Sequence, residues 1–143
     1  MRALVVFCDP DDARWQWALK PGFRHVFCVI AGGDYWITVD ARTAQSVIEV
    51  TSGTVYDLAA HYRAEGLTVV EWDGKQRPWR SPFATANCVG LTKAILGVRA
   101  WWAQTPYQLW KHLSKESRHA VHPARIRKSQ GRHAATSASA PDH

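Results

Sequence analysis

Cysteine is scarce in this chain and methionine nearly absent: Cys8, Cys28 and Cys88 stand with one methionine in 143 residues. An odd number of cysteines without close spacing argues against a disulfide framework and against a zinc site, and it suits a reducing compartment. Long hydrophobic runs are missing too. The apolar start, residues 3–8, meets Asp9-Pro10-Asp11-Asp12 at once, so it is too short for a membrane span or a signal-peptide core. There is no glycine-rich phosphate loop and no internal repeat. His112, His119, His122, His133 and His143 show no metal-ligand spacing. The expectation is a single domain that is cytoplasmic as synthesised, with no membrane span, no metal and no cofactor.

What is present is aromatic and basic. Eight tryptophans fill a core or line a groove. The formal charge of +6 is unevenly spread, because +5 of it falls after residue 110. The expected organisation is therefore a nearly neutral α+β domain over residues 1–113 and a basic, disordered tail over residues 114–143. Contact between that tail and nucleic acid or another polyanion would run through phosphates. The plainer reading is a solubilising or assembly tail, since no nucleic-acid-binding motif accompanies it.

Hydrophobic pattern predicts strands at residues 3–8, 24–31, 34–41, 45–51 and 67–72. Helices are expected over residues 12–20, over residues 54–65 with Thr54 as cap, from Cys88 to Leu96 behind the cap Asn87, and from Thr105-Pro106 to about Leu113. The result is an antiparallel sheet of four to six strands packed with helices.

The hairpin "FRHVFCVIAGGDYWITVDA" carries two polar residues at its open end. A two-residue loop at Gly32-Gly33 would set His25 opposite Asp40, with Cβ atoms about 5 Å apart. Strand alternation places Val26, Cys28, Ile30, Tyr35, Ile37 and Val39 on one face, the expected core. His25, Phe27, Val29, Trp36, Thr38 and Asp40 lie on the other. The plain alternative is a half-exposed strand pair ending in two solvated side chains.

Cys88 lies in "FATANCVGLTKAILG", in the first turn of an expected helix. Free N–H groups and partial positive charge at that terminus favour the thiolate, which is the nucleophile. A neighbouring imidazole would add to this and serve as base and then acid, and a carboxylate would orient the ring. The Cys88 N–H is a candidate oxyanion donor. Cys8 and Cys28 lie within apolar strands and read as small buried hydrophobes. Cys88 too could be plain core, since its helix face continues through Leu91 and Ile95. His61 is a weaker candidate base. Trp79, Trp101 and Trp102 could line a groove near Cys88 or cover the sheet.

These pieces, a strand histidine with a polar partner on the next strand and a later "NC" opening a helix, resemble the papain-like thiol hydrolase superfamily. Within it they are similar to the circularly permuted branch, where the histidine precedes the cysteine. That branch holds bacterial cell-wall peptidase-like and lecithin–retinol acyltransferase-like proteins. The matching stretches cover about thirty of the 143 residues. The resemblance implies a papain-like permuted topology, with Cys88 as nucleophile, His25 as base and Asp40 as orienting residue. It also implies cleavage of an amide or ester in a peptide or peptidoglycan-like substrate. "TPYQLWKHL" and the small size are similar to proteins of bacterial viruses and prophages, which implies a phage structural partner or virion association. The chain departs from the pattern in having no glutamine over residues 81–87 to serve as oxyanion donor; Gln76 and Gln16 are the substitutes on offer. The alternatives are a catalytically inert binding or virion-associated module on the same fold, and a polyanion binder acting through the basic tail.

Overall fold

A computed structural model describes residues 1–10, 17–42, 45–52, 57–75 and 87–120. Among them, five strands form one antiparallel sheet: β1 (Arg2–Cys8), β2 (His25–Ala31), β3 (Tyr35–Arg42), β4 (Gln45–Ser52) and β5 (Thr68–Asp73). Their order is β4-β3-β2-β1-β5. Three helices complete the fold: α1 (Leu58–Ala64), α2 (Cys88–Leu96) and α3 (Pro106–Ala120).

β1 explains the arrangement. Its run Ala3-Leu4-Val5-Val6-Phe7 has no polar face, so it can only be stable with both faces covered. All five residues are buried. Ala3, Val5 and Phe7 join Val26, Cys28 and Val70 in a core closed by Val89 and Leu96 of α2 and by Leu109 and Leu113 of α3. Leu4 and Val6 face the other way, with Val29 and Ala59 of α1. The sheet is thus a middle layer between α2 and α3 on one side and α1 on the other. The outer strand β4 has less cover, and Ile48 and Val50 stand exposed.

The helix ends are written in short polar motifs. Asn87 is extended, and its side chain accepts from the Gly90 N–H at 2.7 Å, capping α2. Gly97 closes α2 in the left-handed conformation, φ 69°. At α3, Thr105 Oγ1 accepts from the Gln108 N–H at 3.3 Å while Gln108 Oε1 accepts from the Thr105 N–H at 3.1 Å. This is a reciprocal capping box with proline in the first turn. Lys93 is buried on α2, and Nζ donates to the carbonyls of Ala100 (3.2 Å) and Ala103 (2.7 Å). It ties the α2–α3 connection to α2. Burial lowers its pKa. Lys93→Met should cost about 2 kcal/mol, the usual worth of hydrogen bonds to a charged group, read as a lower urea midpoint.

Several sequence expectations need correction. The hairpin pairs Cys28 with Val39, Val29 with Thr38 and Ala31 with Trp36, two residues away from the expected register. The Gly32 N–H bonds the Tyr35 carbonyl at 2.9 Å, so the loop is Gly33-Asp34, with Gly33 at φ 83°. Tyr35, expected in the core, is exposed, and Val29 from the other face is buried under α1. α1 begins at Leu58 and is capped by Asp57, which accepts from the Ala60 N–H at 3.0 Å. Thr54 lies outside the described residues. So do most of the expected helix over residues 12–20 and the tail beyond residue 120. α3 does not end at about Leu113 but continues to Ala120. His112 pairs with Glu116 at 3.4 Å, and Ser117 Oγ donates to the Glu71 carbonyl at 3.3 Å, so this basic stretch has partners of its own. Among the described residues no helix is long and apolar enough to cross a membrane.

Candidate functional site

The site lies at one end of the sheet, where β1 finishes and β2 begins. Cys8 and His25 are direct cross-strand partners there. His25 Nε2 and Asp40 Oδ1 are 2.6 Å apart, and both side chains are largely buried. The observed register turns their relation from direct to diagonal. Carried outward, it sets Phe27 against Asp40 and Arg42 against His25. A shift of two leaves every side chain on its face, and diagonal neighbours remain within reach of a ring. The second carboxylate oxygen, Oδ2, accepts from Arg42 Nε at 2.8 Å.

Cys88 arrives from α2, which lies over β2 and β3. With Asp40, it favours the charged form of the His25 ring. Cys88 is partly exposed and packs against the core below α2. The first-turn N–H of Gly90 is taken by Asn87 Oδ1 and that of Leu91 by the Asn87 carbonyl. The N–H groups of Cys88 and Val89 come before the first intrahelical bonds, which leaves them as donors for a ligand.

Charge at the site follows from these contacts. Burial is the largest single influence on His25 and opposes its charge. The influences of Cys88 and Asp40 together outweigh it, and the ring's pKa lies above the ordinary imidazole value. A raised folded value means that the charged ring stabilises the fold fully below about pH 6.5, and that this contribution is lost as pH rises through the folded value. The stability difference between wild type and His25→Gln should therefore shrink from pH 6 to pH 9 in a denaturant series.

The other two cysteines differ from Cys88. Burial, helped by Asp40, Asp9 and Cys88 and opposed by Arg42, pushes the Cys8 thiol up to about 11. Burial pushes Cys28 up to about 12, with a small opposing effect from Thr92. Cys28 is a core hydrophobe as expected. Cys8 is not simply one, since it is partly exposed and stands directly across from His25. Native protein should leave Cys28 unlabelled by iodoacetamide at pH 8, and denaturant should make it react, as peptide mapping would show.

Arg42 was missed at the level of sequence. The available signal was its spacing, two residues from Asp40 in a strand, which puts both on one face. His61 lies on α1 and pairs with Glu65 at 3.3 Å. Trp101 and Trp102 stand exposed between α2 and α3, with the Trp102 ring edge-on to His112. Gln16, Gln76 and Trp79 fall outside the described residues. A groove of about 1020 Å³ runs along β5 and α3, lined by Glu71, Trp72, Trp110 and Ser117 among others, and includes none of the three clustered residues. Among the described residues no group of three or more possible ligands could hold a metal ion. No family model, curated protein or solved structure matches this chain.

Proposed function

We propose that the chain is a thiol hydrolase of papain-like character, in which Cys88 attacks an amide or ester carbonyl with His25 as base and Asp40 as orienting residue. One observation carries the reading: the buried His25 ring is held by the Asp40 carboxylate at 2.6 Å, and Cys88 at the start of α2 acts on that same ring. A cysteine packed only as core has no need of a buried imidazole held by a carboxylate.

The chemistry runs in two stages. His25 accepts the Cys88 proton and the sulfur attacks the carbonyl carbon, with the N–H groups of Cys88 and Val89 available to the oxyanion. The imidazolium then protonates the leaving amine or alkoxide, leaving a thioester on Cys88. Water, deprotonated by His25, hydrolyses the thioester and restores the thiol. Asp40 keeps the ring in one tautomer and stabilises its charge in both stages. Peptide or peptidoglycan-like amides are the proposed substrate class, and a phage structural partner with virion association the proposed setting.

An activated ester tests the chemistry without knowledge of the substrate. With p-nitrophenyl acetate, wild type should carry an acetyl group on Cys88, seen by peptide mass spectrometry, and release p-nitrophenol in excess of protein. Equal release by Cys88→Ala would overturn the proposal.

A further inference from the structure

Two oxygens of one buried carboxylate meet two cations of different kinds. Asp40 Oδ1 faces His25 Nε2 at 2.6 Å, and Oδ2 accepts from Arg42 Nε at 2.8 Å. The Asp40 side chain is 9% exposed and that of Arg42 63%. The guanidinium therefore reaches from solvent to the far side of a carboxylate that water scarcely touches. Its charge is permanent, whereas that of the imidazole comes and goes with pH.

We propose that Arg42 is a positioning residue of the site: its Nε fixes the Asp40 carboxylate with Oδ1 aimed at His25, and its charge sets how much of the carboxylate's charge the imidazole receives. This extends the hydrolase reading to a residue with no role in it, and rests on that reading only for its consequence in catalysis.

The physical reasoning is that of a shared counter-ion. A carboxylate paired with His25 alone would give its whole field to the ring and hold the proton too firmly for a base that must release it. Arg42 neutralises part of that field from the opposite oxygen. The other groups near the pair are Cys8 at the end of β1, Cys88 on α2 and, toward Arg42, Glu49 on β4, while Asp9 acts on Cys8 and has its own cation in Arg24 at 3.6 Å. Among the described residues, Arg42 is the permanent cation bonded to the Asp40 carboxylate itself. The hydrogen bond to Asp40, first among the influences on it, favours the charged guanidinium.

The test is an NMR titration of the His25 ring in full-length protein, in wild type, Arg42→Met and Arg42→Lys. Arg42→Met should raise the His25 midpoint by about half a pH unit, the size expected for one charge removed at this range in a partly solvated setting. Arg42→Lys, which keeps the charge, should restore most of the difference. Circular dichroism should be unchanged in both, since the replaced side chain is mostly exposed. A midpoint in Arg42→Met that stays at the wild-type value or falls would overturn the proposal, as would Arg42→Lys titrating like Arg42→Met. The titration needs no turnover. A Cys88 that acquires no acetyl group would end the hydrolase reading and leave this result to be judged separately.

Discussion

His25→Ala is expected to cut turnover of p-nitrophenyl acetate by about a hundredfold to ten-thousandfold, the range that a positioned general base supplies. The prediction is sharper than a general loss of function because the ring has identified neighbours. Its Nε2 is held by Asp40, and Cys88 acts on the same ring. Removing the ring leaves the thiol without a proton acceptor and leaves the Asp40 carboxylate with Arg42 as its identified partner. Asp40→Asn should be milder, because the amide can still hold the ring but not its charge. Its loss should be read as a lower kcat/KM. A His25→Ala protein with wild-type turnover and a native circular dichroism spectrum would remove the ring from the mechanism.

The largest expected loss of stability comes from Phe7→Ala. Phe7 lies on the central run of β1, is fully buried and packs against Phe23 with ring centroids 5.7 Å apart. Phe23 in turn contacts Tyr107 and Trp110 of α3, so one ring connects the sheet to its covering helix. Truncation removes the transfer free energy of the ring and leaves a cavity between layers that cannot close freely. The cost should be about 3–5 kcal/mol. In a chain of this size that lowers the melting temperature by on the order of 10 °C. The same substitution at exposed Trp101 should move it little, which makes Trp101→Ala the matched control in one calorimetric series.

What the sequence made legible follows from the range of the forces involved. The run at Ala3–Phe7 announced a strand covered on both faces. Asn87 and Thr105-Pro106 announced helix starts, because each acts within one turn. The hairpin was legible in its faces but not in its register. Moving the loop by one residue, from Gly32-Gly33 to Gly33-Asp34, shifts the pairing by two, and the faces survive because alternation has period two. That is why His25 and Asp40 meet in the structure although the expected pairing is not the observed one.

The remainder depended on contacts distant in sequence. Cys8 looked like one more apolar strand residue, and only the pairing of β1 with β2 brings it across from His25. α3 passes its expected end because its last turns find partners in Glu116 and in the Glu71 carbonyl of β5. Lys93 gave no sign of burial, since its partners are carbonyls of a loop that folds back over α2. The second oxygen of Asp40 is a similar case. A carboxylate beside a histidine is easy to propose from a hairpin, whereas the arginine on its far side is one of many exposed basic residues until the geometry selects it.

The central claim is that Cys88 and His25 act as one chemical unit, and the most direct test is alkylation. Iodoacetamide labelling would be followed from pH 5 to pH 9 by peptide mass spectrometry in wild type and His25→Ala, with Cys8 and Cys28 as internal controls in the same tube. Cys88 should react well ahead of both controls at neutral pH and below, and His25→Ala should remove this lead. Labelling of Cys88 as slow as that of Cys8 and Cys28, or a lead that persists without His25, would contradict the central claim.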